Sequence, residues 1–257
     1  MKNTLKQKLH NKTLSIGSWI TIGNTSIAEI MAKAGFDWLT IDLEHSAITF
    51  EQTQQLIQII DLAGVTPLVR VGENSSYLIK RVMDSGAHGV IVPMVNSKAD
   101  AQYAVDCVKY PPVGKRGVGL GRAQGFGFAF EEYKRFDRED SIVIVLIEHI
   151  DAVRNIEEIL AVDGIDAFII GPYDLSASMG MPGEINNPEV KKELQKVIEF
   201  SKTYKRASGF HVAQPDPVIV TKKIDEGYRF IGFGLDTLFL GTSCREGLKY
   251  IDAIHKR

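Results

Sequence analysis

Two carboxylates stand where they could hold a metal ion. Glu148 closes the apolar run IVIVLIE and Asp174 closes DAFIIGPYD, so they fall at the ends of two successive runs. Two protein carboxylates, completed by waters and a chelating substrate, suit a hard octahedral cation such as Mg²⁺ or Mn²⁺. Acids in such places are also common as solvated or helix-capping groups, which is the competing reading. Arg70 ends PLVR, where a cation needs a reason. Its planar fork matches a carboxylate or a developing enolate bidentately, or a neighbouring acid in an ion pair. His45 ends WLTIDLEH and suits a general base, with an acid such as Asp84 of RVMDSG to orient it; the plainer reading is an exposed loop histidine. Asp42 and Glu44 share a face only if extension persists through that stretch.

These groups need a scaffold that gathers strand ends. Eight short apolar runs supply one: residues 14–20, 38–42, 67–71, 89–94, 142–148, 166–171, 208–212 and 229–233. Their apolar residues are mostly consecutive, the pattern of parallel strands covered on both faces. Between them lie eight stretches with apolar residues three and four apart, several opening on Ser, Thr, Asp or Asn as caps. AGFDW, SGAHG, DGIDA and EGYRF each place Gly shortly before a strand, where a helix C-terminus calls for a left-handed residue. Eight such units without a linker predict one α/β domain over residues 1–257, a (β/α)₈ TIM barrel, with a doubly wound sheet as runner-up. A barrel gathers its strand C-termini into a ring, here Trp19, Asp42, Glu44, His45, Arg70, Pro93, Glu148, Asp174, His211 and Asp236. Trp19, Asp42 and His211 are then candidates to line a substrate. The glycine-rich segment 110–128 is the one long irregular stretch and reads as a mobile binding loop, with Arg116 or Arg122 toward an anionic ligand.

Composition narrows the ligand class. With 44% hydrophobic and 24% charged residues, the 257-residue chain has the balance of a soluble globular protein. A net charge of −2 gives no footprint for nucleic acid or an anionic membrane, so the expected ligand is a small molecule. Cys107 and Cys244 lack metal-type spacing and suit a reducing cytoplasm. No signal-peptide pattern or membrane-length apolar run occurs. There is no phosphate loop, dinucleotide fingerprint, nucleophile elbow or H-E-x-x-H. No Lys occupies a strand end, so a Schiff base lacks its nucleophile, and carbanion chemistry here would need a metal.

The segments AGFDWLTIDLEH (34–45), PLVR (67–70), VPMV (92–95), YPPVGKRGVG (110–119), IE (147–148), GPYDLSASMG (171–180) and GLDT (234–237) together resemble the HpcH/HpaI family of class II pyruvate aldolases, in the family's order and across nearly the whole chain. The resemblance implies that Glu148 and Asp174 bind the divalent metal (Mg²⁺, Mn²⁺ or Co²⁺) and that Arg70 holds the pyruvyl oxygens. It implies His45 as the proton-transfer residue, Asp84 as the acid paired with it, and Gly171, Pro172, Tyr173 and Asp174 as the backbone receiving the pyruvate carboxylate. It further implies a homo-oligomer, a hexamer with a C-terminal helix exchanged between subunits. The reaction implied is reversible cleavage of a 4-hydroxy-2-oxo acid, such as a 2-keto-3-deoxy sugar acid, to pyruvate and an aldehyde. A related carbon–carbon lyase or decarboxylase, or a non-catalytic metabolite-binding barrel, are the alternatives. Three departures bear on the substrate: Leu146 where relatives often carry Gln, Tyr173 in place of a small residue, and His211 at a position that is often apolar.

Overall fold

The structure is a computed structural model that describes residues 4–204 and 206–255. Eight parallel strands close into a barrel in sequence order: β1 (Ser15–Ile20), β2 (Trp38–Asp42), β3 (Thr66–Arg70), β4 (Gly89–Val92), β5 (Ile142–Ile147), β6 (Ala167–Ile170), β7 (Ala207–Val212) and β8 (Phe230–Leu235), which pairs back onto β1. The doubly wound alternative is thereby excluded. Every residue of β2, β4, β5 and β6 is buried, as consecutive apolar runs require when helices cover one face and the lumen the other.

The helices around the barrel are α2 (Thr25–Lys33), α3 (Phe50–Leu62), α4 (Ser76–Asp84), α5 (Lys98–Val108), α7 (Ile150–Arg154), α8 (Ile156–Leu160), α10 (Pro188–Tyr204), α11 (Pro217–Asp225) and α12 (Asp236–His255). Three more fall outside the eight-unit count. These are α1 (Thr4–Asn11), α6 (Phe130–Glu139) and α9 (Pro172–Ser178), and the stretch DAVRNIEEIL breaks at Asn155 into α7 and α8. The sequence-based helical stretches ending at Lys205 and Lys256 each run one residue past α10 and α12, into positions outside the described residues. The anticipated turn glycines all take the left-handed region, with φ of 98° at Gly35, 103° at Gly86, 95° at Gly164 and 109° at Gly227.

Two cores result. The larger lies between strands and helices, and the smaller fills the lumen with Trp19, Trp38, Leu68, Ile144, Ile169 and Phe230 among others. Leu5 and Leu9 of α1 join the lumen cluster from below, so α1 plugs the N-terminal end. Lys6 fixes that plug through Asp166 (2.6 Å) and Lys8 through Asp37 (2.5 Å). Among the described residues no helix is long and apolar enough to cross a membrane.

The segment 110–128 departs from its expected place. It connects α5 to α6 and β5, so it lies at the N-terminal end of its own barrel, away from the strand C-termini. Arg116 is buried between the Tyr110 and Tyr133 rings and donates to Asp137 (3.0 Å), while Arg122 donates to Asp61 (2.9 Å). Neither guanidinium faces the strand C-termini. Buried Gln124 ties the glycines down, accepting from Gly121 N and donating to Tyr110 Oη (2.8 Å) and Asp84 (3.1 Å).

Candidate active site

The strand C-termini carry a cluster of charge. Asp42 ends β2 and Arg70 ends β3, and the two are register partners in the sheet. Arg70 Nε donates to Asp42 Oδ1 (2.9 Å) and Nη2 to Oδ2 (2.7 Å), a bidentate pair with Asp42 only 2% exposed. The backbone N–H groups of Glu44 and His45 also donate to Asp42 Oδ1. Burial works to raise the Asp42 pKa, but the Arg70 guanidinium and these N–H groups hold it below the usual carboxylate range.

Glu44 is the residue whose role the sequence leaves open. Its Oε2 lies 3.1 Å from Arg70 Nη1 and 3.9 Å from His45 Nε2, and it feels the charges of Asp42 and Asp174. Desolvation is the main reason its pKa is raised. Asp42 and Glu44 thus grip the same guanidinium from two sides, and neither is a member of the candidate metal pair.

Glu148 follows β5 and is 4% exposed. Its Oε1 accepts from the backbone N–H of Met94 (2.8 Å), a residue held at a left-handed φ of 52° in the turn after β4. Burial pushes the Glu148 pKa up to about 7, the Met94 hydrogen bond opposes it, and the charges of Glu44 and Asp174 add to it. Asp174 sits in the first turn of α9, whose N-cap is Gly171 and whose first residue is Pro172. A methyl group at Gly171 would stand 3.1 Å from Glu148 Oε2, so only glycine leaves that carboxylate its place without a shift. Tyr173 is half exposed and does not seal the site.

A buried carboxylate beside two more acids, with a single hydrogen bond and only the Arg70 charge to oppose them, gains from a further cation. The donor chemistry fits a hard divalent ion on Glu148 and Asp174. Among the described residues no cluster of three or more His, Cys, Asp or Glu is assembled as a cage, in keeping with a site completed by water and substrate.

Trp19 and His211 form the floor. Trp19 lies in the lumen, 2% exposed, and stacks on the His211 ring at 4.2 Å with an interplanar angle of 16°. Asp236 of the ring is fully engaged, accepting from the N–H groups of Thr21 (2.8 Å), Ile22 (2.7 Å) and Thr237 (2.8 Å) and from Thr21 Oγ1 (2.6 Å). It clasps α12 to the end of β1.

One expected pair is not assembled. His45 stands at the C-terminal mouth with its side chain 65% exposed, whereas Asp84 ends α4. A helix that returns from β3 to β4 ends at the opposite face of the barrel, so within one chain His45 and Asp84 do not meet. Met94 and the clasp by Glu44 went unseen in the sequence reading, since neither a left-handed Met nor a second acid on Arg70 leaves a motif.

Comparison with known proteins gives the chain's family. Residues 15–241 match the family model described as HpcH/HpaI aldolase/citrate lyase. A protein of Klebsiella pneumoniae named 2-keto-3-deoxy-L-rhamnonate aldolase is 35% identical over 239 residues, 93% of this chain and 89% of that one. The crystal structure of an HpcH/HpaI aldolase/citrate lyase family protein from Burkholderia cenocepacia superposes with a TM-score of 0.93 at 32% identity, covering 97% of this chain and 99% of that one. An HpcH/HpaI aldolase from Desulfitobacterium hafniense gives 0.88 at 32% identity, with 96% of each chain covered. By sequence and fold, the chain belongs to the HpcH/HpaI aldolase/citrate lyase family.

Proposed function

We propose that this chain is a divalent-metal-dependent aldolase that cleaves a 4-hydroxy-2-oxo acid of the 2-keto-3-deoxy sugar acid class to pyruvate and a hydroxyaldehyde. The observation that carries the reading is Glu148, a buried carboxylate beside Asp174 and Glu44, two strands round the barrel from a guanidinium already held by Asp42. Glu148 and Asp174 would hold the ion. When bound, it supplies Lewis-acid stabilisation of an enolate oxygen.

The chain's own residues then divide the remaining work. Arg70 has five N–H donors and commits two of them to hydrogen bonds with Asp42, with Nη1 only in charge contact with Glu44, so donors remain for the oxygens of the 2-oxo acid. Its bidentate anchorage holds that fork in one orientation. The first turn of α9 carries no side-chain cap, which leaves its N–H groups to the substrate carboxylate. In cleavage, His45 accepts the C4 hydroxyl proton, the C3–C4 bond breaks, and its electron pair passes into the enolate of pyruvate. A proton returned to C3 completes pyruvate.

His45 needs an orienting acid, and Asp84 is on the far face of the same chain. The chain therefore works as an oligomer in which Asp84 of one copy faces His45 of another. Two surfaces support this. Val118, Leu120, Phe126 and Phe128, in the segment beside Asp84, are exposed, and α12 buries only Asp236 while exposing Leu240, Leu248 and Tyr250. Small molecules are its substrates.

The test is pyruvate release from a panel of 2-keto-3-deoxy sugar acids, with Mn²⁺ and with EDTA. Turnover should vanish with chelator, return with Mn²⁺, and fall on the order of 10³-fold in Glu148→Ala. Metal-independent turnover, or a Glu148→Ala variant at full activity, refutes the reading.

A further inference from the structure

The floor of the site is polar where a barrel lumen is ordinarily sealed by aliphatic side chains. His211 Nε2 lies 3.3 Å from the carbonyl oxygen of Gly234. A carbonyl accepts only, so Nε2 carries the proton and Nδ1 keeps its lone pair. Nδ1 has no hydrogen-bond partner among the described residues. The Trp19 indole Nε1–H is the complementary case, a donor in a residue 2% exposed that has no partner at all. An orphaned N–H of this kind costs on the order of 1–3 kcal/mol unless a ligand or water satisfies it.

Gly232 fixes which way these groups face. A methyl group there would stand 2.5 Å from Trp19 Cζ3 and 3.0 Å from His211 Cδ2. Those atoms are the edges turned toward β8. Trp19 Nε1 and His211 Nδ1 lie on the opposite edges of their rings, turned away from β8. The two rings are stacked, which holds both edges in one region of the barrel. The imidazole also feels the charges of Arg70 and Asp42, two groups at the strand C-termini.

We propose that His211 and Trp19 form a subsite for a substrate hydroxyl, which donates to His211 Nδ1 and accepts from Trp19 Nε1–H. This rests on the aldolase reading and deepens it. A hydroxyl is the group that satisfies both atoms at once; a methyl satisfies neither and a carboxylate meets the His211 lone pair with its own. Two substrates could bring it, a 2-oxo acid hydroxylated at C3 or a hydroxylated aldehyde.

The experiment measures kcat/KM for aldol formation in two arms. One compares 3-hydroxypyruvate with pyruvate at a fixed aldehyde, the other lactaldehyde with propanal at fixed pyruvate. In one arm, His211→Leu should lower the ratio of hydroxylated to plain substrate about tenfold, the worth of one neutral hydrogen bond. His211→Gln, which keeps an acceptor, should recover part of the loss, and Trp19→Phe should lower the same ratio. The arm that responds identifies the source. Ratios unchanged within about twofold in both arms, in variants whose circular dichroism matches the parent, overturn the subsite. Deuterium exchange into the methyl group of pyruvate with Mn²⁺ separates the two ideas. Exchange with unresponsive ratios overturns the subsite alone, while parent protein that neither exchanges nor forms aldol overturns both.

Discussion

Replacing Asp42 by Asn tests whether the Arg70 fork is positioned by its ion pair. The change is nearly isosteric, but it removes the charge that two guanidinium N–H groups share at 2.9 and 2.7 Å and turns an amide N–H₂ toward one of them. Breaking a buried pair from one side costs about 3–5 kcal/mol. Arg70 keeps Glu44 at 3.1 Å and a side chain 12% exposed, so the lower end, about 3 kcal/mol, applies. At roughly 2–4 °C per kcal/mol for a chain of this size, the melting temperature should fall by about 6–12 °C. The acid dependence has a definite sign. Asp42 has a folded pKa below its ordinary 3.8, so its contribution is complete above that value and disappears as pH falls through the folded value. The gap between parent and variant should therefore be full at neutral pH and close in acid. The assay is urea unfolding from neutral to acid pH, with kcat/KM for aldol cleavage alongside. The double change Asp42→Asn, Arg70→Met should unfold less readily than the sum of the single changes, with a coupling of about 1–3 kcal/mol. Asp42→Asn with stability within about 0.5 kcal/mol of the parent at neutral pH, or with unchanged kcat/KM, would refute the positioning argument.

Two further outcomes follow from the same geometry. Gly171→Ala places a methyl 3.0 Å from Glu148 Cβ and 3.1 Å from Oε2, at a φ of −96° that alanine tolerates; Mn²⁺ affinity by calorimetry should weaken about tenfold with the melting temperature nearly unchanged, and an unchanged dissociation constant sinks the assignment of Glu148 as a ligand. His45→Ala and Asp84→Ala should each be nearly inactive alone, yet after co-refolding in equal amounts about a quarter of the sites regain both groups if the pair forms between copies; no recovery argues against pairing across chains.

How far the sequence was legible depended on whether a feature repeats. The strands were readable because each is a consecutive apolar run covered on two faces, and eight repeats of the pattern outweigh an error in any one. The turn glycines were readable for the same reason, since Gly35, Gly86, Gly164 and Gly227 answer one recurrent demand for a left-handed residue. What was lost lay between the repeats. Helix α1 folds under the barrel because Leu5 and Leu9 complete the lumen core, a tertiary cause with no local mark. The segment 110–128 has the glycines of a mobile loop, yet its two guanidiniums are consumed by Asp137 and Asp61, partners distant in sequence. Asp84 of RVMDSG read as the acid that orients His45, and the direction of α4 parts them within one chain.

Electrostatics at the mouth decides between an enzyme and a passive metabolite-binding barrel. Asp42, Glu44, Glu148 and Asp174 contribute four carboxylates, and the guanidinium they meet there is that of Arg70. A barrel built only to hold an anionic metabolite would present surplus cation, as recognition of carboxylates by paired N–H donors requires. Here the one guanidinium is already matched by Asp42, and Glu148 is driven up to about 7 by burial and by its acidic neighbours. A 2-oxo acid approaching this surface unaided meets repulsion. On the aldolase reading a divalent cation would offset most of that negative charge, and the same cation would stabilise an enolate. On that reading, the arrangement that makes Glu148 costly to bury would also couple substrate binding to metal, which a mere binding protein would have no reason to keep.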